Sequence, residues 1–186
     1  RPGARLDLGA IAKGYALDRL AGQLRAAHAA ADGSGPVALL NFGQSSYWAL
    51  GTPPDAEVWT LLLRHPARET PAGTIGLRNQ ALSISAALGD SSVIEGRRYG
   101  HVIDPRTGEP LHRAAQVAAL APDATQAEAI STAVLVLGAD EGLAWVESLP
   151  GCEALWIDAG SERATAGWSA AARYQPMPGA SDPVDP

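Results

Sequence analysis

QVAALAPDATQAEAISTAVLVL, residues 116–137, decides how the chain is read. Gln116 to Leu120 reads as a strand. Residues 124–137 read as a helix, because Ala127, Ile130, Val134 and Leu137 recur on one apolar face. A second helix, 139–149, follows across Gly138-Ala139-Asp140. Upstream lie short apolar runs bounded by turn residues: Val37 to Phe42, Tyr47 to Leu50 and Val58 to Arg64. Thr74 to Leu77 and Ala81 to Ser85 flank Asn79-Gln80, which suggests a hairpin. Tyr99 to Ile103 reads as a strand entering the turn Asp104-Pro105-Arg106-Thr107-Gly108. Glu153 to Asp158 is a late strand, and Thr165 to Trp168 an edge strand.

An N-terminal helix over 10–31 is predicted from Ile11, Tyr15, Leu17, Leu20 and Leu24, with Asp18, Arg19, Gln23 and Arg25 outward. Asp32-Gly33-Ser34-Gly35-Pro36 stops it. From Gln175 to Pro186 the composition predicts a disordered tail. Strand runs with hairpin spacing between helix groups read as α+β with a mostly antiparallel sheet flanked by helices.

Length and composition bound the function. The chain has 186 residues and a formal net charge of −6. It lacks the basic footprint of a nucleic-acid binder and any polybasic signal for anionic lipid. One cysteine, Cys152, forms no internal disulfide, and the four histidines show no zinc-ligand spacing. The chain opens on Arg1, almost directly on a motif, so more chain is expected upstream.

Three constellations carry chemistry. In Asp7-Leu8-Gly9-Ala10-Ile11-Ala12-Lys13-Gly14, a glycine turn feeds a helix start with a lysine in its first turn. Asp7 either caps the helix or orients the loop. Helix N-termini attract anions, so Lys13 there either meets an anionic ligand or is a solvated helix residue. In His101-Val102-Ile103-Asp104-Pro105-Arg106-Thr107-Gly108, a histidine and an aspartate leave a strand end together. That suits a general base with an orienting partner, or else a plain turn with a half-buried histidine. Glu128 and Thr132 stand at i and i+4 on one helix face. They either share a hard cation with phosphate oxygens, or are an exposed charge and a threonine bonded back to a carbonyl.

The order of these motifs, with Asn41-Phe42-Gly43 and Ala81-Leu82-Ser83-Ile84-Ser85 between them, resembles the FAD:protein FMN transferase (ApbE) family, from about Leu6 to Asp158. The resemblance implies an ApbE-like, T-fold-like domain over 1–174 that lacks an upstream part. It implies Mg²⁺-dependent transfer of FMN from FAD to a Thr or Ser hydroxyl of an acceptor protein, with release of AMP. Asp7, Lys13 and the Val102 backbone would contact FAD. Ala10, Glu128, Ser131 and Thr132 would hold Mg²⁺, and His101 would be the base, with Asp104 shaping its loop. Glu128 replaces the family's usual Asp, Gln44 stands where a second Gly is common and would crowd the ligand, and Ile84 and Ala86 replace Thr and Gly. The alternatives are an FAD pyrophosphatase giving FMN and AMP, or a non-catalytic flavin-binding module. A periplasmic location, with the membrane reached only through an upstream lipid anchor, is carried over from the family.

Overall fold

A computed structural model of the chain describes Gly3 and residues 7–31, 35–89 and 91–178. In chain order its elements are α1 (Ala12–Ala31), β1 (Ala38–Phe42), β2 (Ser46–Leu50), β3 (Trp59–Arg64), β4 (Pro71–Leu77), β5 (Gln80–Ala86), β6 (Ser91–Ile94), β7 (Arg97–Gly100), β8 (Gln116–Ala121), α2 (Ala124–Leu137), α3 (Ala139–Glu147), β9 (Glu153–Ile157), β10 (Glu162–Ala164), α4 (Trp168–Ala171) and β11 (Gln175–Pro176).

Every residue of β8 is buried. Side chains on a strand alternate between faces, and those of β8 find a core on each side. Val117, Ala119 and Ala121 join one apolar cluster, Ala118 and Leu120 the other. Ala154 and Trp156 of β9 follow the first, Leu155 and Ile157 the second. Both strands are interior members of a six-stranded sheet ordered β1-β2-β5-β8-β9-β10. All its pairings are antiparallel. Helices α1, α2 and α3 cover the first face. On the second, a three-stranded sheet ordered β11-β4-β3 packs through Leu63, Ile75 and Leu77, joined by Trp168 of α4. The fold is therefore α+β with mostly antiparallel sheets, as the sequence predicts.

Local expectations meet corrections. The strands flanking Asn79 are not a hairpin: β4 pairs with β3 and β11, whereas β5 pairs with β2 and β8. Asn79 takes a left-handed turn (φ 50°), and its side chain accepts the Gly51 N–H, so the turn hands the chain from one sheet to the other. The edge strand is β10, not 165–168: the Thr165 carbonyl accepts the Trp168 N–H and bends the chain toward α4. Gln175–Pro176 pairs with Gly73–Thr74 of β4, so the expected tail starts with a short strand. Residues 179–186, and the helix stop at 32–34, lie outside the described residues.

Helix α1 buries Gly14, Leu17 and Ala21, while Ile11, Tyr15 and Leu20 of the predicted face are exposed. Small residues face α2 because the two helices cross closely. A Cβ on Gly14 would lie 2.2 Å from the Ala124 carbonyl oxygen. Asp18, expected outward, also faces α2. Its carboxylate accepts the Ala124 and Thr125 N–H groups (2.8 and 2.9 Å) and the Trp48 indole N–H (2.8 Å). Asp123 accepts the Gln126 N–H. Two carboxylates thus satisfy the first three amides of α2, donors with no partner inside the helix.

Candidate active site

A cavity of about 790 Å³ gathers the chemistry-bearing motifs. Its walls include Asp7, Gly9, Ala10 and Lys13 from the start of the chain, Ser45 from the β1–β2 turn, Ser85 from β5, His101 to Ile103, and Glu128 and Thr132 from α2.

The α1–α2 crossing sets one wall. Glu128 is 3% exposed. Its Oε2 accepts the Gly14 N–H at 2.8 Å, and its Oε1 accepts the Ser46 hydroxyl at 2.8 Å. Lys13 Nζ lies 3.3 Å from Oε1 and donates to Ser45 Oγ. The start of α1 does attract an anion, but the first anion it meets is this carboxylate. Asp7 orients the loop before it, since its Oδ1 accepts the Gly9 N–H at 2.7 Å. Spacing alone leaves an exposed Glu128 open; burial and three partners remove that alternative. Thr132 is not bonded back to a carbonyl either. The side chain that bonds back is Ser131, whose hydroxyl donates to the Glu128 carbonyl at 3.1 Å.

The second wall is a loop. His101 follows β7 in a bend rather than lying on a strand, because pairing of β7 with β6 ends at Gly100. Gly100 presses so closely on the turn after β5 that a Cβ would lie 1.9 Å from the Ala87 carbonyl oxygen. Beyond His101 the chain folds back: Leu111 N–H donates to Val102 O, Asp104 N–H to Glu109 O, and Ile103 bridges Pro110.

Three sequence readings change. Asp104, expected beside His101, is not on the cavity wall. Its carboxylate accepts both Nε and Nη2 of Arg106 (3.0 and 2.8 Å), which holds its pKa down at about 2. Arg106 Nη2 also donates to the Val136 carbonyl at 3.1 Å, tying the loop to the C-terminal turn of α2. Ser131 is fully buried and stands behind the wall, where Ser83, Ser85 and the Glu128 carbonyl surround its hydroxyl. Gln44 does not crowd the cavity: it turns outward at φ 59°, its N–H donating to Asn41 Oδ1.

Sequence reasoning missed Gly14, Asp18 and Ser46. Gly14 had a signal, since a glycine inside a helix usually has a packing reason. Ser46 had none, because only the β2–β5 pairing aims it at Glu128.

The oxygens at this wall are carboxylate, hydroxyl and backbone carbonyl, the donors a hard cation prefers. Among the described residues no cluster of three or more His, Cys, Asp or Glu side chains could hold a metal alone. A cation here would need a ligand, such as a phosphate, to complete its shell. An α+β sandwich whose cavity combines a buried carboxylate, a lysine at a helix start and a loop histidine defines a class by its site.

Comparison with known proteins narrows that class. Residues 1–156 match the ApbE family, and the chain belongs to it. It is 35% identical to the FAD:protein FMN transferase of Treponema pallidum over 166 residues, covering 83% of this chain and 44% of that protein. The FAD:protein FMN transferase of Klebsiella pneumoniae is 29% identical over 160 residues, 84% of this chain and 46% of that one. Among solved structures, the ApbE protein of Thermotoga maritima superposes with a TM-score of 0.77 at 28% identity, covering 92% of this chain and 55% of the other. The apo flavinyl transferase ApbE of Pseudomonas stutzeri gives 0.69 at 26% identity, with coverages of 89% and 51%. The chain thus spans about half the length of these relatives.

Proposed function

We propose that this chain carries the catalytic face of a Mg²⁺-dependent transferase moving FMN from FAD to a Thr or Ser hydroxyl of an acceptor protein. One observation carries the reading: Lys13, His101, Glu128 and Thr132, drawn from three distant parts of the sequence, line one cavity. Glu128, Thr132 and the Ala10 carbonyl would hold Mg²⁺ together with the FAD diphosphate. When bound, the ion supplies Lewis-acid stabilisation of charge on the phosphoryl oxygens.

The chain's own residues do the rest. Lys13, anchored by Glu128 and Ser45, offers its ammonium to the diphosphate. Asp7 and the Val102 backbone line the wall where the flavin nucleotide lies. His101 takes the proton of the acceptor hydroxyl as its oxygen bonds to the FMN phosphorus. The P–O bond to AMP breaks, and AMP leaves with the electron pair. Asp104 and Arg106 keep the His101 loop on α2. A periplasmic location, reached through an upstream lipid-bearing segment, belongs to the same proposal and is tested by fractionating cells. Among the described residues no helix is long and apolar enough to cross a membrane.

The test incubates the protein with FAD, MgCl₂ and an acceptor, and weighs the acceptor. Expected is the mass of one FMN on a Thr or Ser, with AMP in equal amount. His101→Ala should lower the rate by about 10²–10⁴-fold, the usual contribution of a general base. Free FMN with no labelled acceptor would make water the acceptor, and flavin binding without turnover or magnesium dependence would leave a binding module. An unchanged rate in His101→Ala would remove the histidine from the mechanism.

A further inference from the structure

Four hydroxyls form a chain beside Glu128, three of them on residues that line the cavity. Ser131 Oγ lies 3.1 Å from the Glu128 carbonyl oxygen, 3.0 Å from Ser83 Oγ and 2.8 Å from Ser85 Oγ. Ser85 Oγ in turn lies 3.2 Å from Thr132 Oγ1. Ser131 is buried away from the cavity, whereas Ser83, itself buried, lines the cavity with Ser85 and Thr132.

Each hydroxyl has one proton to donate and two lone pairs to accept with. A carbonyl only accepts, so the Ser131 proton goes to Glu128 O. Both lone pairs of Ser131 are then left for its neighbours, and Ser83 and Ser85 each donate to it. Ser85, its proton spent, accepts from Thr132. The Thr132 proton therefore points back into the protein, and its remaining lone pairs face the cavity. We infer that this relay fixes Thr132 as a lone-pair ligand for a cation, and that Ser131 and Ser85 are positioning residues acting through it. The inference rests on the magnesium reading above and adds the direction of the protons behind the ligand.

The relay distinguishes hydroxyls that look equivalent. In Ser131→Ala, Ser85 loses its acceptor and turns its proton to Thr132. Thr132, no longer held as the donor to Ser85, is then free to aim its own proton into the cavity, where it repels a cation. In Ser83→Ala, Ser131 keeps the Glu128 carbonyl, Ser85 still donates to Ser131, and the direction is unchanged. Both variants delete one hydroxyl from the same buried cluster.

The test titrates Mn²⁺, an EPR-visible stand-in for Mg²⁺, into the full chain with ADP supplying the diphosphate and no turnover. Ser131→Ala should weaken Mn²⁺ binding roughly 10–100-fold, the usual effect of losing an outer-shell partner. Ser83→Ala should bind as the unsubstituted chain does. If Ser131→Ala does not fold, judged by its thermal transition, Ser85→Ala takes its place. It frees the Thr132 proton and should weaken binding likewise. Equal affinity in all variants, or equal weakening by Ser131→Ala and Ser83→Ala, overturns the relay and leaves the magnesium reading standing. No Mn²⁺ binding by the unsubstituted chain overturns both.

Discussion

A methyl group on Gly14 would meet the backbone of Ala124, not the flexible end of a side chain, so nothing nearby can yield cheaply. Gly14→Ala should push α1 from α2 and cost at the upper end of about 1–3 kcal/mol, the usual range for overpacking. Urea unfolding would read it as a lower midpoint. The same displacement would pull the Gly14 N–H from Glu128 and slacken Lys13. The candidate site is legible in the sequence to the extent that its residues carry charge or a reactive group. Type and spacing leave a bland reading open for Lys13, His101, Glu128 and Thr132, and it is the order of their motifs along the chain, through the family resemblance, that singles them out. Asp104 and Ser131, named with them, do not line the cavity, for one shared reason. Spacing puts a polar side chain near a site, but only packing shows which way it faces: toward Arg106 in one case, into a hydroxyl cluster in the other.

Helix α2 is held at both ends by segments that carry site residues. Asp18, one turn beyond Gly14, grips its first amides, and Arg106, beyond His101, grips a carbonyl of its last turn. Asp18→Ala would strand buried donors, each costing about 1–3 kcal/mol when left unsatisfied. Calorimetry should show a clear loss of Tm, with faster amide exchange at Ala124 and Thr125. Arg106→Ala should loosen residues 101–110 in hydrogen exchange while α2 stays protected. It should also let the Asp104 carboxyl rise from about 2 toward its ordinary 3.8 in an NMR titration. Because the folded pKa is depressed, the Asp104–Arg106 contribution is complete above about 4 and is lost as pH falls through about 2. Acid should therefore free the His101 loop in the unsubstituted chain only near the bottom of that window. At this scale α2 itself is legible to the residue, since 124–137 carries an unbroken helical period. The β4–β5 relation is not. Asn79-Gln80 announces a turn, and turn chemistry is local, whereas the choice of neighbouring strand depends on two cores that no short window contains.

The cavity is a property of the whole molecule, since the turn before α1, the loop after β7 and the face of α2 must all be in place. Its central bond, Gly14 N–H to Glu128, closes a span of 114 residues. Bringing such distant positions together carries a loop-closure entropy that local turns and hairpins do not, and contacts of this kind form slowly. During synthesis the lysine-bearing helix leaves the ribosome long before its carboxylate partner exists. Until then that helix has no acid to meet and no floor beneath it. In refolding, far-UV ellipticity should return before the capacity to bind nucleotide, and simultaneous recovery of the two would show that the pocket is no late arrival.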